Sequence, residues 1–151
     1  MTKLMGLALG IVLSLATASP LYAEDYDAAL AERVGADEYG MKLYVMAFLK
    51  RGPNRGQSEE EAKRLQRAHL DNIKHLADEG KLVLAGPFIE EGELRGIYLF
   101  NVTNIEEARA LTATDPAIKA GRLVMELHPW YGSAALMEVN KLHHKLAKKA
   151  I

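Results

Sequence analysis

"KLVLAGPFIEEGELRGIYLFNV" (Lys81–Val102) is the stretch on which the fold turns. "KLVLAG" and "LRGIYLFNV" are short runs rich in Val, Ile, Leu and aromatics, and "GPFIEEGE" between them carries the Gly and Pro of a turn. The stretch therefore reads as a β-hairpin. On its N-terminal side, Ser58 followed by Glu61 has the spacing of a capping box, and Gly80 closes the helix that starts there. Before that helix, "MKLYVMAFL" (Met41–Leu49) reads as a strand, and "KRGPNRGQ" is the polar loop joining the two. On the C-terminal side, "NIEEARALTA" is a second helix with Asn104 as its cap. "TDPAIKAG" is a turn segment, and "RLVMELHPW" is a fourth strand. "SAALMEVNKLHHKLAKK" closes the chain as a helix whose stripe runs Leu136, Val139, Leu142, Leu146.

The order β-α-β-β-α-β predicts an α+β, ferredoxin-like split βαβ fold with an antiparallel sheet and both helices on one face. A sheet covered on one side alternates apolar and polar residues. This one does not. Leu43, Val45 and Ala47 point one way, while Tyr44, Met46 and Phe48 point the other; Ile97 and Leu99 likewise oppose Tyr98 and Phe100. Two apolar faces with helices for only one predict a homodimer packed sheet against sheet.

The first helix carries the residue of most chemical interest. Leu65, Ile73 and Leu76 form an apolar stripe, and His69 falls on it. A histidine there is either a core residue hydrogen-bonded to backbone or a group facing a pocket. Asp115, just after the second helix, is within reach of the same region; it is either the cap of a short turn or the partner of His69. A carboxylate on an imidazole fixes its tautomer, and imidazole suits acid–base work near neutrality. Trp130 and Tyr131, at the end of the fourth strand, line a pocket mouth or cap the core. Other chemistries fare poorly. His75, His128, His143 and His144 lack metal-ligand spacing. "RGPNRG" lacks the Walker pattern, no G-x-S-x-G is present, and the chain has no cysteine.

The run of His69, "DEGKLVLAGPF", "EEARAL", "TDPAIKAG" and "HPW", in that order over Met41–Tyr131, resembles the YCII-related (YciI-like) domain family. The resemblance implies a dimeric α+β barrel of ferredoxin-like subunits with a site built on His69 and Asp115. Gly86, Pro87, Pro116 and Gly121 match positions that shape the pocket. Gly86, Pro87, Phe88 and Trp130 are then expected to bind substrate. Members with known chemistry act on small hydroxylated or chlorinated aromatic-derived compounds without metal or organic cofactor. The resemblance thus implies a cofactor-free elimination or isomerisation. The competing expectation is a non-catalytic module that binds a small ligand or only dimerises.

The ends add localisation. Lys3, the apolar run "LMGLALGIVLSLATA", Pro20 and Ala23 form the pattern of a signal peptide over residues 1–23, too short to span a bilayer. A cut after Ala18 and an uncleaved anchor are the alternatives. The mature protein is then expected to be secreted or periplasmic, and off the membrane. A net charge of −1 gives no basic face for nucleic acid. Residues 24–40 form an acidic lead, 41–131 the domain, and 132–151 an amphipathic helix. The acidic lead and the basic "KLHHKLAKK" read as solvated tails or as a pair of ends that meet.

Overall fold

The computed structural model describes residues 25–149. The expected signal peptide therefore lies outside the described residues. The chain runs through α1 (Ala28–Val34), β1 (Met41–Arg51), α2 (Glu59–Asp78), β2 (Leu82–Pro87), β3 (Leu94–Phe100), α3 (Ile105–Thr112), α4 (Pro116–Lys119), β4 (Leu123–Ser133), a 3-10 segment (Ala134–Glu138) and α5 (Val139–Leu146). The four strands form one sheet in the order β2-β3-β1-β4, with every pair antiparallel. This α+β architecture is consistent with the ferredoxin-like expectation.

Local chemistry explains the helix ends. Ser58 Oγ accepts the Glu61 N–H at 3.2 Å, but the Glu61 carboxylate turns to Arg64, so only half of the capping box forms. Asn104 caps α3 through the Glu107 N–H at 2.8 Å. Gly80, with φ +69°, takes the left-handed conformation that ends α2. The helix side of the sheet holds the main core. Val45, Ala47, Leu49, Tyr98 and Phe100 pack there against Leu76 of α2 and Ala108 of α3.

The ends of the chain depart from expectation. The acidic lead is not a simple tail. It contains α1, capped by Asp27 and by Gly35 at φ +70°, with Val34 buried. Seven residues are too few for a self-supporting helix, so tertiary contact sustains it. The two ends do meet, but Arg33 of the acidic segment faces Glu138 of the C-terminal segment at 3.6 Å, the reverse of the polarity suggested by composition. "TDPAIKAG" contains a one-turn helix, α4, with Pro116 at its start. β4 runs on to Ser133, so the α-helical part of the C-terminus begins only at Val139.

The second sheet face is also less bare than expected. Leu136 and Met137 pack on Tyr44, Val83 and Leu99, and Asn140 Nδ2 donates to the Leu82 carbonyl at 2.8 Å on the edge strand β2. Farther on, Leu142 and Leu146 of the expected stripe are exposed. Removing residues 134–151 should uncover Tyr44, Val83 and Leu99 and lower stability by about 2 kcal/mol, the scale of one or two half-buried apolar side chains. Thermal melting checks this, and an unchanged midpoint would reduce the segment to an appendage.

Candidate functional site

Three elements converge inside the sheet–helix layer. α2 supplies His69, the corner between α3 and α4 supplies Asp115, and the central strand β3 supplies Tyr98. His69 is 8% exposed, Asp115 0% and Tyr98 2%, so the group is enclosed. His69 Nδ1 lies 2.7 Å from Asp115 Oδ2. The other carboxylate oxygen accepts the Ala117 N–H at 2.8 Å. Asp115 is thus both the N-cap of α4 and the partner of the imidazole; the two sequence readings describe two oxygens of one side chain. α4 packs against α2, which brings the cap to the histidine.

The third member was not legible as a site residue. The Tyr98 hydroxyl lies 3.4 Å from His69 Nε2, a long contact, and the two rings stack with centroids 6.1 Å apart. Burial, and then the negative charge of Asp115, push the Tyr98 hydroxyl well above its ordinary pKa, so it stays a proton donor. An ionised Asp115 accepts from Nδ1–H, which leaves the Nε2 lone pair to accept from Tyr98. Sequence alternation marked Tyr98 only as an apolar partner of Phe100. Its place opposite Ala47 in the ladder is what aims the ring at α2.

The remaining expected residues do not gather around His69. Trp130 pairs with Tyr44 across β1 and β4, and the two rings lie tilted with centroids 6.0 Å apart, on the sheet face away from the helices. The alternation of β4 therefore separates it from the dyad, against the expectation of a shared pocket. Gly86 is half-buried, and a Cβ there would meet nothing within 4 Å, so no crowding demands glycine at that position. Pro87 is exposed and Phe88, half-buried, has left the strand. Gly121 does have a shaping role: its φ is +69°, and a Cβ would come within 2.6 Å of Asn54 Nδ2.

Two of the clefts among the described residues have the following linings. One, of about 460 Å³, is lined by Pro53 to Gln57; the other, of about 450 Å³, lies among Gly35, Asp37, Lys42, Leu43 and Tyr131. Neither is lined by His69 or Asp115. Among the described residues, no cluster of three or more His, Cys, Asp or Glu side chains has the arrangement of a metal site. No helix there is long and apolar enough to cross a membrane.

A split βαβ sheet with a histidine–aspartate pair under its helices defines a class of small α+β domain. The family model of the YCII-related domain matches residues 45–131, more than half of the chain, and the protein belongs to that family. Among solved structures, it is similar to 5-chloro-2-hydroxyhydroquinone dehydrochlorinase (TftG) from Burkholderia phenoliruptrix AC1100, determined in complex with 2,5-dihydroxybenzoquinone. The two are 18% identical over 59% of this chain and 93% of that one, with a TM-score of 0.43. No curated protein matches the sequence.

Proposed function

We propose that the protein is a cofactor-free acid–base catalyst of elimination or isomerisation, acting on a small hydroxylated or aromatic-derived compound. The observation that carries this reading is the buried His69–Asp115 contact of 2.7 Å. With Nδ1–H held by Asp115, Nε2 is the atom that takes a proton. The electron pair left on the substrate then expels a leaving group as its anion, or shifts a double bond while the imidazolium returns the proton at the far carbon. A substrate hydroxyl would take the position at Nε2 where the Tyr98 hydroxyl lies in the free chain. The substrate class follows the family resemblance alone.

A second reading has its own support. Both imidazole nitrogens have partners within the chain, and neither cleft is lined by His69. That is the arrangement of a satisfied core histidine in a non-catalytic ligand-binding or dimerising module. The readings separate in His69→Asn and His69→Leu, followed by melting with and without a panel of small hydroxylated and chlorinated aromatics. For a catalyst, His69→Asn keeps its fold to within about 1 kcal/mol, His69→Leu loses about 3–5 kcal/mol because the buried Asp115 carboxylate is left unpaired, and both lose every ligand-induced shift. Ligand shifts retained in His69→Leu would refute the role.

The proposed assembly is a homodimer through the outer sheet face. Met46, Phe48 and Ile97 remain only half-buried there beside the exposed Trp130 and Val124. Light scattering at micromolar concentration is expected to give twice the chain mass; a monomer would overturn it. The proposed location is secreted or periplasmic, argued from residues 1–23 of the sequence.

A further inference from the structure

The arginines of this chain divide into two populations. Arg33, Arg64 and Arg67 each have a carboxylate within 4.0 Å. Arg51, Arg55, Arg95 and Arg122 have none among the described residues; outside this group only Arg109 shares that condition. The four are brought to one end of the sheet by backbone geometry. Arg51 ends β1 and pairs with Leu123, the neighbour of Arg122. Its N–H donates to the Glu93 carbonyl at 2.7 Å, beside the start of β3. Arg95 sits where the β1–β3 ladder slips between Leu49 and Lys50, opposite the end of β1.

Arg55 is held among them by a tethered loop. Its Nη1 donates to the Arg122 carbonyl at 3.0 Å. The preceding Asn54 is fixed twice, by its N–H to the Gly121 carbonyl at 3.0 Å and by Nδ2 to the Ala120 carbonyl at 3.1 Å. Arg122 in turn donates to Gln57 Oε1 at 2.8 Å. The loop wall of the cleft of about 460 Å³ runs from Pro53 to Gln57, with Arg55 at its centre. Burial, and then the positive charges of Arg122, Arg51 and Arg95, hold the Arg55 guanidinium below its ordinary range. Glu93 is the one acidic neighbour that opposes this. Holding like charges together is unfavourable in the free protein, and an anion placed between them relieves it.

We propose that this loop cleft binds a small, multiply charged oxyanion, with Arg55 as the central ligand and Arg51 and Arg95 at its sides. Guanidinium forks match the paired oxygens of phosphoryl and carboxylate groups, and the tethers fix the loop before the ligand arrives. The chemistry shared by the two groups is two adjacent anionic oxygens. The site is separate from the His69–Asp115 pair and does not depend on that pair being catalytic.

The test is a titration of the whole protein with inorganic pyrophosphate and, separately, malonate, read by the arginine Nε–H signals in NMR and by calorimetry. At least one anion is expected to saturate, moving the Arg55 signal together with that of Arg51 or Arg95. Tighter pyrophosphate marks a phosphoryl ligand and tighter malonate a dicarboxylate. Arg55→Gln is expected to weaken binding at least tenfold without changing the melting midpoint, whereas Arg109→Gln is expected to bind like the unaltered protein. Saturation by neither anion, full affinity in Arg55→Gln, or an equal loss in Arg109→Gln would each overturn the assignment.

Discussion

Asp115→Ala should lower the stability of the domain by about 3–5 kcal/mol, the range for removing one partner of a buried ionic pair. The side chain is fully buried and both of its oxygens are engaged. Truncation orphans the Ala117 N–H at the start of α4 and the His69 Nδ1–H at once. Each buried donor left without a partner costs about 1–3 kcal/mol. The small cavity adds to this. Asp115→Asn separates the two roles. Its amide oxygen can still cap Ala117, so the loss should be only about 1 kcal/mol. Its NH₂ group, facing Nδ1, instead forces that nitrogen to accept and moves the ring proton to Nε2. The lone pair that the proposed reaction needs is then gone. Urea melting of both variants, with imidazole nitrogen shifts for the tautomer, checks the pair. Asp115→Ala within 1 kcal/mol of the parent would mean that water reaches the dyad.

The sequence made the four strands, α2 and α3 legible because periodicity, caps and turn glycines agreed along most of the domain. His69 stood out because an imidazole interrupts an otherwise aliphatic stripe, and Asp115 because it precedes Pro116. Their contact is a tertiary fact that no local pattern states. Tyr98 was hidden for the opposite reason: an aromatic on a buried strand looks like packing. The sheet face that Trp130 takes depends on the register of β4 against β1, and a one-residue slip would move it to the helix side. The pairing of Trp130 with Tyr44 settles that register. The apolar stripe of the C-terminal helix predicts that it lies across the sheet edge or the partner subunit. Leu136 was visible as apolar, but only the fold shows that it and Met137 lie over Tyr44 and Leu99.

Gly52→Ala should be nearly as damaging, by about 3 kcal/mol, although Gly52 touches neither His69 nor Asp115. Gly52 follows β1 directly, and its N–H donates to the Arg122 carbonyl at 2.8 Å. A Cβ on Gly52 would stand 2.2 Å from the Gly121 carbonyl oxygen and 2.6 Å from the Arg122 carbonyl carbon. Both are backbone atoms, so no rotamer change relieves the overlap. Relief requires moving the loop away from the α4–β4 corner, and overpacking of this kind costs about 1–3 kcal/mol before any hydrogen bond is lost. The Gly52 and Asn54 hydrogen bonds to that corner would weaken with it. Gly121 has little freedom to retreat, because its left-handed φ of +69° ends α4 and Asn54 lies against it. The displacement should therefore travel along α4 to its capping residue, Asp115, and appear as a changed His69 imidazole signal. Gly56→Ala is the control. A Cβ there meets nothing within 4 Å and its φ is not positive, so the substitution should be neutral or stabilise by up to about 1 kcal/mol through the unfolded chain. Equal melting midpoints for the two variants would show that the corner yields, and that the close approach of β1 to Gly121 does not hold α4 in place.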